Sequence, residues 1–366
     1  MTGKHNFSSV QCSLAPEVTE RLKSELYSFD NTGLSPLSVA TGSPEYRRLA
    51  SSAEEKLRAL LSVPQSHQVF FFGGTAETMY AAIPQNLLSE HLCADYLVTG
   101  IHSKNAYLEA KRYGDIAIAA SSAGAIPIFS SIPETKRSDF RPDADYVYIC
   151  YNNSHYGTRF RQIPDTGNIP LVVDMSSSFL SEPVDVSKAA LLFADLGCSL
   201  IPAGMTVLIA RRDLLREARP YTPTHLNFRA VADGEARHSA PSGFCMYTAE
   251  RTFSWLCDIG GLDEMKRRCE RKASMIYDYL DSQTYYTAPA CKRDRSVTDV
   301  VFMTGNAMLD ERFLGMAADT GLLHLAGTEA VGGMCAAIGP TVPSESVEEL
   351  IAFMKRFAFE NPKLSF

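Results

Sequence analysis

Between residues 69 and 76 the chain changes character twice. An apolar run of strand formers, Val69-Phe70-Phe71-Phe72, gives way to Gly73-Gly74-Thr75 and then to a helical stretch from Ala76 onward. Strand, glycine turn and helix in that order aim free backbone N–H groups at one point, an arrangement suited to an anion. Further strands are expected at 96–99, 116–119, 146–150, 171–174, 191–193 and 206–210, with helical segments between several of them. That alternation predicts an α/β architecture around a mostly parallel sheet.

Amphipathic spacing predicts helices at 17–27, after Pro16, and at 45–62, with Leu49, Leu57, Leu60 and Leu61 on one face. A helix running from Thr248 breaks at Gly260-Gly261, and a second follows over 262–281. The domain boundary is placed there, giving an arm at 1–16, a large domain at 17–260 and a small domain at 261–366. Strands near 300–303 and 334–338 and a helix at 346–357 make the small domain α+β.

With 366 residues there is room for two domains. A net charge of −7 without a basic stripe argues against a nucleic-acid partner. Nine cysteines, none in a CxxC pair, disfavour a zinc knuckle. Their odd number, with no signal peptide, suggests a reducing compartment and a cytoplasmic protein. No apolar stretch approaches the roughly 20 residues that span a bilayer, so no membrane partner is expected.

Several segments, taken in order, carry a resemblance: Asn6-Phe7-Ser8-Ser9, residues 69–88, Ala94-Asp95-Tyr96, Val173-Asp174, Pro183-Val184-Asp185-Val186-Ser187, Pro202-Ala203-Gly204 and Val331-Gly332-Gly333-Met334. The chain resembles the phosphoserine aminotransferases, class-V aminotransferases of PLP fold type I, nearly from end to end. That likeness implies a large domain with a mostly parallel seven-stranded sheet, a smaller α+β domain, and a homodimer whose site draws on both subunits.

Residue by residue, the likeness is uneven. The family's lysine that holds pyridoxal phosphate falls on Cys198, in the run from Phe193 to Thr206. A thiol forms no imine and is no amine base. The phosphate turn reads Gly74-Thr75-Ala76-Glu77-Thr78, with Glu77 in place of the family's arginine. A carboxylate within about 5 Å of a phosphate costs on the order of 1–3 kcal/mol at an effective dielectric near 20. Glu77 also suits the first turn of a helix for its own sake. The partner-subunit residues of the phosphate cup fall on Ser239 and Ala240, and the ring-stacking aromatic on His102. Asp174 matches the aspartate that pairs with the ring nitrogen, with Ser176 close behind it, and Ser154 matches a threonine hydroxyl. The cations that would hold substrate anions read Thr41, Gly42, Thr328, Glu329 and Cys335. Losing one charged partner costs roughly 2–5 kcal/mol. The turn Ser8-Ser9-Val10-Gln11 departs from the family's Ser-Ser-Gly-Pro.

Two readings follow from the residues. The first expects a pyridoxal-independent enzyme acting on a small, non-phosphorylated metabolite, with no cofactor. Cys198 would be its nucleophile and His102 its base, or else Asp174 or Glu77 a general base. Ligand contacts are expected from Thr75, Ala76, Glu77, Ser154, Ser176, Ser239, Glu329 and Cys335, and the spacing matches no metal motif. The second expects a non-catalytic dimeric binding or scaffold protein, with Cys198 and Cys335 as packing. A further alternative is non-covalent binding of pyridoxal or pyridoxamine phosphate, with Lys104 the only amine near His102.

Overall fold

The computed structural model describes residues 4–236 and 239–363. In chain order the strands are β1 (His5–Asn6), β2 (His67–Gly73), β3 (Cys93–Val98), β4 (Asp115–Ser121), β5 (Tyr146–Cys150), β6 (Asn152–Asn153), β7 (Thr158–Arg159), β8 (Leu171–Asp174), β9 (Leu191–Asp195), β10 (Met205–Arg211), β11 (Asp299–Phe302), β12 (Leu322–Leu323) and β13 (Met334–Ala337). The helices are α1 (Pro16–Glu25), α2 (Pro44–Leu61), α3 (Ala76–Leu87), α4 (Ile101–Ala110), α5 (Phe228–Ala232), α6 (Gly243–Asp258), α7 (Gly261–Asp281), α8 (Ala307–Asp319) and α9 (Ser344–Glu360).

Seven strands form the main sheet, in the order β2-β10-β9-β8-β5-β3-β4. Only β10 runs antiparallel to its neighbours. Every residue of β5, β8 and β9 is buried, as expected of interior strands covered by helices on both faces. From β3 the chain passes outward to β4 and then back to β5 on the other side. That reversal opens a crevice at the carboxyl ends of β3, β5 and β8.

A separate core gathers Phe302, Phe313, Phe353 and Phe357 with Ile276, Leu280 and Met334. Its strands are β11 paired antiparallel with β13, and β1 paired in parallel with β12, so the amino-terminal arm lies with the carboxyl-terminal elements. Helix α7 serves both cores. Leu262, Met265 and Cys269 pack into the large one, and Ala273, Ile276 and Leu280 into the small one. One apolar stripe at helical spacing, from Leu262 to Leu280, therefore packs into both cores in turn.

Of the elements that differ from the sequence reading, two helices are explained by their caps. Helix α6 begins at Gly243 rather than near Thr248, because the Ser242 hydroxyl accepts the Cys245 N–H at 3.2 Å and caps it there. Helix α8, not expected at all, is opened by Asn306, whose side chain accepts from Met308 and Leu309. No helix among the described residues is long and apolar enough to cross a membrane.

Candidate active site

Asp174 ends β8 with a 2 % exposed side chain. One carboxylate oxygen accepts the Ser176 N–H at 2.9 Å and the Ser176 hydroxyl at 2.6 Å. The other accepts the Tyr148 hydroxyl at 3.1 Å and the Tyr80 hydroxyl at 3.5 Å. Burial raises its pKa, while Ser176, His102 and Tyr148 pull it back down. Both tyrosines are pushed well above their ordinary value by burial and by the aspartate, so they stay protonated donors.

The neighbouring strand β9 ends in a second buried carboxylate, Asp195, held by the Ala76 N–H at 3.2 Å and the Gly197 N–H at 2.9 Å. Ser176 joins the two strand ends, since its hydroxyl also accepts the Asp195 N–H at 3.0 Å. Burial, with Glu77 and Asp174 nearby, raises Asp195 to about 6. Across the crevice Asp299, at the head of β11, accepts from Thr298 and Asn152 at 2.8 Å each and is likewise raised to about 6 by burial. Asn152, on β6, thereby ties this side of the crevice to β11.

The glycine turn precedes α3 as expected. Gly74 has φ +126°, and a Cβ there would lie 2.7 Å from the Thr78 hydroxyl, so a side chain is excluded twice over. The Thr75 hydroxyl donates to Glu77 at 2.7 Å, and Glu77 itself is exposed. At the end of β3, Gly100 lets the chain pass Asn153, whose amide oxygen would sit 2.6 Å from a Cβ. This close approach sets His102, in the first turn of α4, with its ring centroid 4.9 Å from that of His155. Burial and His102 push His155 down to about 4, so it is neutral near pH 7.

Cys198 follows β9 in a short 3-10 turn. It lines a narrow cavity of about 10 Å³ with Asn6, Ser8, Cys12, Ser177, Asp299 and Thr341, room for one water. Burial and then Asp195, Asp174 and Asp299 push its thiol well above the ordinary value. Burial first, and then the surrounding carboxylates, disfavour the thiolate form of Cys198. Cys335, on β13, donates to the Ser154 carbonyl at 3.5 Å, and burial raises its pKa as well.

Asp174, Ser176, Tyr80, Tyr148, Asp195 and Ala76 are thus linked by hydrogen bonds, and His102 lies near enough to act on Asp174. Ser154, directly after β6, is buried, and its backbone carbonyl accepts from Cys335 on β13. The Ser239 hydroxyl donates to the His225 carbonyl at 2.7 Å, and its backbone lies against Gly73 of the same chain. Glu329 is exposed on the turn before β13 and makes no hydrogen bond to the cleft among the described residues. Among the described residues no group of three or more metal-binding side chains converges. Asp195, Asp299, His155, Tyr80 and Tyr148 were not singled out from the sequence. Asp195 was within reach of the argument that found Asp174, since it too ends a buried apolar strand.

Residues 5–336 match the family described as Aminotransferase class-V. A phosphoserine aminotransferase of Ectopseudomonas mendocina is 38% identical over 356 residues, 97% of this chain and 98% of its own length. That of Azotobacter vinelandii matches to the same extent. Among solved structures, one reporting radiation damage of the Schiff base in phosphoserine aminotransferase superimposes with a TM-score of 0.93 at 32% identity, over 98% of this chain and 100% of that one. The PLP-bound phosphoserine aminotransferase of Trichomonas vaginalis gives 0.88 at 31%, over 96% and 99%.

These similarities correct two expectations. A pyridoxal-independent enzyme for a non-phosphorylated metabolite, or a scaffold without chemistry, does not stand against full-length relatives named phosphoserine aminotransferase. The expectation of no cofactor does not stand against relatives solved with a Schiff base and with PLP. Cys198 remains a cysteine. What falls is the inference from that one residue to the activity of the whole chain.

Proposed function

This chain belongs to the class-V aminotransferase family, and we propose that it carries out amino-group transfer of the phosphoserine type with pyridoxal phosphate. Asp174 is the observation that carries this reading. A buried carboxylate fixed by four donors fits the protonated nitrogen of a pyridine ring. The Tyr80 contact, at 3.5 Å, is weak enough to yield its place to the ring N–H. His102 would lie against the ring, Ser154 would meet its phenolic oxygen, and the Gly74–Thr75 backbone with the Thr75 and Thr78 hydroxyls would receive the phosphate.

When bound, the cofactor supplies an electron sink for charge developing on the substrate carbon. The chain's own residues orient it: Ser176 keeps Asp174 and Asp195 in register, and the Tyr148 hydroxyl holds the Asp174 carboxylate in place. We place the small-molecule substrate in the same crevice and take the working unit to be a homodimer, to be checked by sedimentation.

The test adds pyridoxal phosphate to purified protein and follows visible absorbance, retention through dialysis, and amino transfer from phosphoserine to a 2-oxo acid. Borohydride reduction and peptide mapping then show which amine, Lys104 included, meets the aldehyde, since residue 198 offers none. A saturable band with transfer, both lost in Asp174→Ala, supports the reading. Neither retention nor transfer at millimolar cofactor would overturn it.

A further inference from the structure

His155 sits on the turn between β6 and β7, and its place there is closely determined. The Asn153 carbonyl accepts the N–H groups of Tyr156 and Gly157 at 3.0 Å each. Gly157 has φ +67°, and the Asp299 carbonyl lies 3.3 Å from where a Cβ would stand. Tyr156 packs edge-on against Phe129 with ring centroids 4.8 Å apart. The Asn153 side chain then ties this turn to the loop that opens α4. Its amide oxygen accepts the Thr99 hydroxyl at 3.2 Å and crowds Gly100, while its amide nitrogen donates to Thr158 at 3.2 Å. One asparagine therefore sets both the turn that carries His155 and the helix start that carries His102.

The two imidazoles meet with centroids 4.9 Å apart and planes tilted by 49°. That is direct ring contact, which spans roughly 4.5–7 Å between centroids. Among the described residues neither ring forms a hydrogen bond, which leaves this contact as the restraint on how the His102 ring is turned. An imidazole otherwise has several staggered rotamers and a broad second torsion. His155 is half-buried and neutral near pH 7, so it adds no charge to the crevice. We propose that His155 is a positioning residue, whose ring holds the His102 imidazole in the plane on which the cofactor's pyridine ring rests. Fixing that plane beforehand removes an ordering cost from cofactor binding. The proposal rests on the function proposed for the crevice.

The test uses the full-length protein with His155→Val, His155→Gln and His155→Phe. The His102 ring signals are read first without cofactor, by nuclear magnetic resonance of isotope-labelled protein, and are identified by their loss in His102→Gln. They should shift and broaden where residue 155 carries no ring, and stay sharp in His155→Phe. Pyridoxal phosphate is then titrated, and its affinity and induced visible circular dichroism are measured. The two ringless variants should bind about fivefold more weakly, the loss of one ring contact, with reduced dichroism, and His155→Phe should restore both. His102 signals unmoved in the ringless variants, parental affinity and dichroism in them, or no restoration by His155→Phe would each overturn the proposal. Parent protein that takes up no cofactor would overturn the reading of the crevice, and the proposal with it. Failure of the His155 contact alone leaves that uptake intact, so the two results are told apart.

Discussion

The carboxylate of Asp195 accepts the backbone N–H of Ala76 at 3.2 Å, so the helix start that faces the crevice already holds an anion belonging to the protein. Its pKa rises from 3.8 to about 6 on burial. The folded state therefore keeps a proton that the unfolded state has lost between those values, and stability falls as pH climbs through that window. For Asp195 the change amounts to about 3 kcal/mol at most. Asn at this position no longer titrates but gives up one of two accepted hydrogen bonds. Asp195→Asn should be no more stable than the parent at pH 4 and about 1–2 kcal/mol more stable at pH 7. Urea melts at the two pH values check this. A difference that does not grow with pH would contradict it.

The same charge bears on the cofactor phosphate. Above pH 6 Asp195 is an anion beside the proposed phosphate seat, and below it the group is neutral. Asp195→Asn should tighten pyridoxal phosphate about tenfold at pH 8, roughly 1.4 kcal/mol. At pH 5 it should change little. Equilibrium dialysis at both pH values measures it directly.

The two tyrosines on Asp174 should not count equally. Tyr148 donates at 3.1 Å and Tyr80 at 3.5 Å. Tyr148→Phe should cost about 1.5–3 kcal/mol of folding stability, the range for a bond to a charged acceptor. Tyr80→Phe should cost less than about 0.5 kcal/mol. Denaturant titration of the two variants side by side decides the matter.

Lys272 is 2 % exposed and satisfies two backbone carbonyls. Lys272→Met keeps the aliphatic stem and leaves both acceptors buried without a donor. A loss of about 2–4 kcal/mol is expected, with the far-ultraviolet spectrum preserved. A variant as stable as the parent would show that water replaces the ammonium there.

Much of this architecture was readable because buried parallel strands are apolar throughout. Residues 146–150 and 171–174 were placed to the residue, and the remaining sheet strands to within three residues at either end. Capping escaped the reading: Ser242 lengthened α6 by five residues, and Asn306 opened a helix where no strong apolar stripe advertised one. In the site, Asp174 was legible from its strand end. Its tyrosine donors were not, because Tyr80 and Tyr148 lie on elements distant in sequence and meet only through the fold. The surroundings of Cys198 were not legible in the sequence, since burial and neighbours from distant strands set them. Nearby histidine suggested activation, whereas the close neighbours are carboxylates contributed by three different strands.

Residues Gly339, Thr341 and Val342 touch the tiny space beside Cys198, and the same segment, pinned by Lys272, lines a larger cavity beside Trp255. Thr341 also reaches the Ser199 carbonyl at 3.4 Å. One short ribbon is therefore a partition with a chamber on each side. Neither chamber can be reshaped alone: a substitution that widens one displaces the wall of the other, so their sequences are bound to drift together.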